Sequence, residues 1–316
     1  MVIESLDRIR PGGKVKKIST TQQRLVRSAT DIALDNPREI LFQHTILCQA
    51  GLPYRKQKEL RRWQRQNGRA SLEIEAGRAF HPIKKKYIDL PLPYGPKARL
   101  VLIHLNSEAI KTGTPIIEVE DSMTAFIRRL LKRNPNGREI KHFKDQLSSL
   151  STATIRLAIL AVEHAVQINT QIVTTFDLWF PKNPNQRVLW PSTVRLSQEY
   201  FDTLVKHAVP LDERSVSALA HSPMALDIYV WLAQRLHRID PSKPQFVPWK
   251  ALYQQFGQGF ARIRKFREKF FWVLKQAQTQ YPAARMGVDS GGLTLRQSPP
   301  PVPQRFIAID RDDLLS

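Results

Sequence analysis

Residues 260–279 read FARIRKFREKFFWVLKQAQT. At about 100° per residue, Ile263, Phe266, Phe270, Val273, Leu274 and Ala277 fall on one side of a helix. Arg264, Lys265, Glu268, Trp272 and Lys275 fall on the other, and Arg262, Arg267 and Lys269 flank the apolar stripe. Five cations lie within the eight residues 262–269. They crowd the amino-terminal half, where the helix dipole disfavours positive charge. An external anion would offset that cost. Arginine can bond guanine through two hydrogen bonds, and glutamate can accept from cytosine. The segment therefore reads as a recognition helix, against the plainer reading of a solvated surface helix.

Its surroundings fit. A helix starts at Ser222-Pro223 and runs to about Arg238, with serine as its cap and proline in its first turn. A short helix follows from Pro248 to about Phe256, and Gly257-Gln258-Gly259 makes a turn. Beyond Tyr281-Pro282, strands at 285–288 and 293–297 flank Asp289-Ser290-Gly291-Gly292, a strong hairpin turn. Arg285 and Arg296 stand at the base of that hairpin, where phosphate contact is the expected role. The order is helix, helix, turn, helix, hairpin.

A similar order occurs earlier. Residues 97–110 are helical in spacing, and 115–119 form a short strand. Asp121 or Ser122 caps a helix through Leu131, Asn134-Pro135-Asn136-Gly137 turns, and a second helix runs from Arg138 to about Leu150. Extended segments at 152–162 and 166–176 follow. In that second helix Ile140, Phe143, Leu147 and Leu150 form the buried stripe. Arg138, Lys141, His142, Asp145 and Ser149 face outward, with Lys144 on the flank. Arg138, Lys141 and Lys144 suit a solvated face as well as a DNA contact. Two occurrences of one unusual order predict an α+β fold, mainly α, of two tandem winged-helix domains with β-hairpin wings. The expected partition is a basic arm and short helix over 1–36, a first domain over 37–182, a second over 190–302 and a tail over 303–316.

The remaining segments are less decided. Residues 71–92 alternate as strands. Residues 54–65 hold six cations against Glu59 alone, with Tyr54 and Trp63 among them. That run suits either a solvated helix or phosphate contact.

Charge sets the partner class. The 316 residues hold 49 Lys+Arg against 28 Asp+Glu, a net +21. A field of that sign captures polyanions, of which nucleic acid is the usual one. The excess is largest in residues 1–99, with 21 basic against 9 acidic. A single cysteine, Cys48, cannot form an internal disulfide. The first 20 residues are charged where a signal peptide needs an apolar core, and no stretch reaches the roughly 20 apolar residues of a membrane span. A cytoplasmic chain without a membrane is expected.

Catalysis and cofactors find no support. The eight histidines (44, 81, 104, 142, 164, 207, 221 and 237) include no pair flanking an apolar residue, as a metal-dependent nickase requires. No Gly-rich loop ends in Gly-Lys-Ser/Thr to cradle ATP, and no Gly-x-Ser-x-Gly elbow occurs. No cofactor, metal or catalytic residue is expected. A transcriptional regulator with the same domains, and a nicking enzyme without a visible signature, are the rival readings.

Several strings resemble the plasmid replication initiator RepA family. They include Asp121-Ser122-Met123-Thr124-Ala125-Phe126-Ile127-Arg128-Arg129-Leu130-Leu131 and Gly137-Arg138-Glu139-Ile140. Further on are Pro210-Leu211-Asp212-Glu213-Arg214, Ala225 to Ile239, Pro248-Trp249 and Arg262-Ile263-Arg264-Lys265-Phe266. The likeness covers about residues 40–302. It implies binding to double-stranded origin DNA at repeated sites, local strand opening, recruitment of host replication proteins and copy-number control. It also implies tandem winged helices and exchange between monomer and homodimer. The site residues named above come from the helix reading.

Overall fold

The computed structural model describes residues 19–81, 84–118, 127–128, 131, 133–160, 165–170, 172–175 and 193–303. In chain order, α1 (Thr20–Leu34), β1 (Ile40–His44) and α2 (Thr45–Gln49) come first. Strands β2 (Arg62–Asn67), β3 (Ala70–Glu75), β4 (Arg78–His81) and β5 (Lys86–Asp89) precede α3 (Gly95–Thr112), β6 (Ile116–Glu118) and α4 (Gly137–Thr152). Next are β7 (Thr154–Leu160), β8 (Ala165–Thr170), β9 (Val173–Thr175) and β10 (Thr193–Leu196). Then α5 (Gln198–His207), β11 (Ala208–Asp212), α6 (Glu213–Leu219) and α7 (Pro223–Arg235) follow. The last elements are β12 (Gln245–Pro248), α8 (Trp249–Phe256), α9 (Ile263–Thr279), β13 (Met286–Val288) and β14 (Gly292–Leu295).

The carboxyl-terminal half follows the expected order closely. Ser222 caps α7 by accepting from the Ala225 N–H, and Pro223 opens the first turn. Every residue from Met224 to Gln234 is buried, so α7 is the central post of this half. Strand β14 pairs with β12 on one side and β13 on the other, all antiparallel. The Asp289 carboxylate accepts from the N–H groups of Gly291 and Gly292 at 2.7 and 2.9 Å, which shapes the hairpin turn.

The amino-terminal half departs from its expected pattern. Asn136 and Glu139 form a capping box at the start of α4, as the turn residues require. The hairpin β7–β8 then follows, but β7 also pairs with β3, giving a four-stranded sheet in the order β2-β3-β7-β8. Strand β6 pairs with β10, not with that hairpin. Burial explains both. Ile155 and Leu157 of β7 face the core beside Leu72 and Ile74 of β3, while Ile117 and Val194 bury each other's strand elsewhere. Residues 54–65 contain no helix; they form a loop and the start of β2. Trp63 and Arg65 share the half-buried face of β2, Trp63 donating to the Gly51 carbonyl and Arg65 to that of Gln254. The helix expected over 121–131, the boundary expected between 182 and 190 and the first 18 residues of the expected arm and short helix lie largely or wholly outside the described residues.

The two halves are joined at three levels. Strand β1 pairs antiparallel with β11, from Ile40 opposite Asp212 to His44 opposite Ala208. Helix α3 packs on α7, and the buried Arg99 and Asp227 bond across that seam at 2.6 and 2.8 Å. One apolar cluster runs without interruption from Leu25 to Leu295. Helix α1, expected as part of an arm, docks on α6 and α9. Arg214 donates to the Asp31 and Asp35 carbonyls and so closes the carboxyl end of α1.

His44 makes the fold acid-sensitive. Its ring caps α2 by accepting from the Ile46 N–H at 3.2 Å, and it stacks on Tyr200. Burial, helped by the charge of His207, lowers its pKa to about 3. An unfolded histidine takes up a proton near pH 6.5, whereas folded His44 does not until about 3. The unfolded chain thus binds more protons between those values, and stability falls as pH drops through that window. The loss is about 2 kcal/mol by pH 5. His44→Asn keeps a capping acceptor and removes the titration. Thermal midpoints measured from pH 7 to 5 are expected to fall less steeply for this variant than for the parent. Parallel slopes would show that His44 is not the sensitive group.

Candidate nucleic-acid interface

Phe266, Phe270, Val273, Leu274 and Ala277 of α9 are buried, as the spacing predicts. Ile263 is the exception at 42% exposed. It is the first helical residue and lies beyond the edge of the layer that covers the rest of the stripe. Phe266 and Phe270 pack edge-on or tilted against Tyr253, Trp249 and Phe256 of α8. This aromatic layer fixes the rotation of α9 and turns Arg264, Lys265, Lys269 and Lys275 outward.

The amino end of α9 is unusual. Arg262 occupies the cap position and makes no capping bond, and the first turn has no acidic residue. The leading N–H groups are therefore offered to an anion, beside exposed Arg262, Arg264 and Lys265. One acid opposes them. Glu268 lies 2.8 Å from Lys265 and 3.9 Å from Arg264. The Lys265 hydrogen bond holds its carboxyl below the usual range. The pair is exposed, so it is weak and exchangeable.

The other cations have distinct settings. Arg267 is half-buried: its guanidinium lies 4.8 Å over the Trp249 ring and donates to the Ser290 carbonyl. It ties α9 to the hairpin turn and is a strut as much as a contact. Lys269 stacks on Trp272 at 4.1 Å and Lys275 on Phe271 at 4.6 Å. Arg285 and Arg296 are exposed and adjacent, since the Arg296 N–H donates to the Arg285 carbonyl at 3.0 Å. Like charges facing across a ladder destabilise it, and a phosphate between them would remove that cost.

The α4 residues stand in the other half. Arg138 and Lys141 are exposed and Lys144 is half-buried. Ser149, expected outside, is buried, with its hydroxyl donating to the Asp145 carbonyl. His142 is half-buried and bonded to the Tyr94 hydroxyl. Arg133, just before the helix, is committed to Glu139 by two bonds at 2.5 and 2.9 Å. These bonds hold the Glu139 carboxyl down at about 2.

One basic element near α9 was not assigned to the site from sequence. Gln258, in the turn before α9, accepts from the Tyr54 N–H and donates to the Leu52 carbonyl. Exposed Arg55, Lys56 and Lys58 therefore lie beside the turn that leads into α9. The six cations in residues 54–65 were the available signal.

A family model described as plasmid encoded RepA protein matches residues 92–250, half of the chain. The chain belongs to that family. The match runs from the approach to α3 to the start of α8, so α9 and the hairpin β13–β14 lie beyond it. No curated protein matches the chain. The chain is similar to two crystal structures of domains 2 and 3 of RctB, at 10% identity. One, of selenomethionine derivatives, has a TM-score of 0.47, with 80% of this chain and 98% of that chain covered. The other has a TM-score of 0.46, with 79% and 94% covered. No helix among the described residues is long and apolar enough to cross a membrane.

Proposed function

We infer that this RepA-family chain is a plasmid replication initiator that binds double-stranded origin DNA through α9 and the hairpin β13–β14. In this reading the carboxyl-terminal half is a winged-helix unit. Its elements run helix, strand, helix, helix, hairpin, and its first strand pairs with the last strand of the hairpin. The observation that carries the reading is the uncapped, acid-free amino end of α9 amid exposed Arg262, Arg264 and Lys265. Such an end accepts phosphate, and the outward arginines reach base edges in a major groove. Arg285 and Arg296 serve the backbone beside it. Arg138, Lys141 and Lys144 offer a second contact from α4. The chain acts by binding, not catalysis: it opens DNA locally and brings host replication proteins to it, working as a monomer or homodimer in the cytoplasm.

Footprinting of the purified chain on its plasmid's origin region tests this, with repeated protected sites as the expected result. Affinity for a protected duplex is expected to fall about a thousandfold between 50 and 200 mM salt, as about six phosphate contacts would require. A flat salt dependence or an absent footprint would refute the reading. Replication of an origin plasmid that depends on the chain separates an initiator from a regulator of transcription.

A further inference from the structure

Strands β4 and β5 form a two-stranded ribbon of their own, paired with no other strand. Phe80 stands directly opposite Tyr87, and the two rings meet edge to face at 5.6 Å. Both face solvent, 52% and 61% exposed. The opposite face is anchored, since Ala79 is buried. The base is clamped by Arg61, which donates to the carbonyls of Ala76, Gly77 and Leu90 at 2.8, 3.0 and 2.8 Å. A two-stranded ribbon is marginal alone, so this clamp holds an open aromatic face in place.

Most of the charges bordering that face are positive. Arg78 lies 5.7 Å over the Tyr87 ring, and Lys84, Lys85 and Lys86 are exposed at the far end. Asp89 is the one acid in residues 78–89. It sits at the base, 3.4 Å from both Arg61 and Arg78. Open rings bordered by cations suit an unpaired nucleic-acid strand, whose bases offer π-faces and whose phosphates match the lysines. In a duplex those faces are hidden by stacking.

We propose that the β4–β5 ribbon holds an unpaired DNA strand, with bases stacked on Phe80 and Tyr87 and phosphates on Arg78 and Lys84 to Lys86. The proposal rests on the origin-binding reading, since an opened duplex supplies the strand. It assigns strand capture to a surface separate from α9.

The test uses the full chain, a fluorescein-labelled oligothymidine of about 20 nucleotides and an origin duplex. Phe80→Ala with Tyr87→Ala is expected to weaken oligothymidine binding tenfold or more and to leave the duplex footprint unchanged. Phe80→Trp with Tyr87→Trp is expected to retain strand binding. Replacing Lys84, Lys85 and Lys86 by alanine is expected to reduce the salt slope on the oligonucleotide by about 2. Oligothymidine affinity equal to the parent's in the alanine pair would overturn the proposal. If that pair also loses the duplex, Phe80→Leu with Tyr87→Leu decides, because it keeps apolar bulk and removes the π-faces. Full strand binding by the leucine pair overturns the proposal, and its loss supports it. An absent footprint for the parent counts against the origin reading, whereas an unaffected variant counts against the ribbon.

Discussion

Arg262→Ala, Arg264→Ala and Lys265→Ala combined is expected to weaken binding to an origin site by about a hundredfold to several thousandfold. Each lost base contact is worth roughly 1–3 kcal/mol, and lost phosphate contacts add a sequence-independent share. The three side chains are exposed at the uncapped end of α9, so the thermal midpoint is expected to stay within about a degree or two of the parent's. Glu268 refines the expectation. It already holds Lys265 at 2.8 Å, so Lys265→Ala alone costs less than Arg264→Ala. Glu268→Gln frees both cations and is expected to tighten binding to any duplex at low salt. Electrophoretic mobility shifts over a salt series check all three. An affinity within twofold of the parent's for the triple variant would remove α9 from the interface.

The largest expected effect on stability lies elsewhere. Arg99→Ala is expected to destabilise the chain by about 3–5 kcal/mol, as breaking a buried ion pair does. All five guanidinium N–H groups are used. Nε and one Nη2 hydrogen bond Asp227, the other Nη2 hydrogen reaches the Leu52 carbonyl, and Nη1 serves Gly95 and Pro53. Burial pushes the Asp227 carboxyl up, and the Arg99 charge pulls it back. Without Arg99 the carboxyl and three carbonyls lose partners in a closed space. Lysine cannot replace the fork, so Arg99→Lys is expected to fare nearly as badly. Arg99→Met with Asp227→Leu is expected to be less destabilised than Arg99→Met alone. Denaturant titration measures each, and a change under about 1 kcal/mol for Arg99→Ala would show the pair to be incidental.

Helical periodicity made much of this legible. The stripes of α4 and α9, the cap of α7 and the turn at Asp289 to Gly292 were readable because each is a local pattern. The pairings were not. Nothing near Ile116 says that β6 joins β10, and nothing near Thr154 says that β7 joins β3, because such choices depend on which apolar faces meet. Nothing near Arg99 marks it as buried, because its partner lies 128 residues away. Arg267 read only as a contact, because its ties to Trp249 and the Ser290 carbonyl run to other elements. Residues 54–65 suited a solvated helix or phosphate contact by charge, yet from Arg62 on exposed residues alternate with half-buried ones such as Trp63 and Arg65, which belongs to a strand.

The pairing of β1 with β11 has a consequence for biosynthesis. The fifth residue of β1 waits for Ala208, and the Leu25 carbonyl waits for the amide of Gln280. Such distant closures are slow and leave the early chain unsatisfied in the meantime. Helix α1 and β1 therefore finish folding only after the chain has been made as far as Gln280. A product truncated before that point would lack the surface on which α1 rests and would be open to proteases.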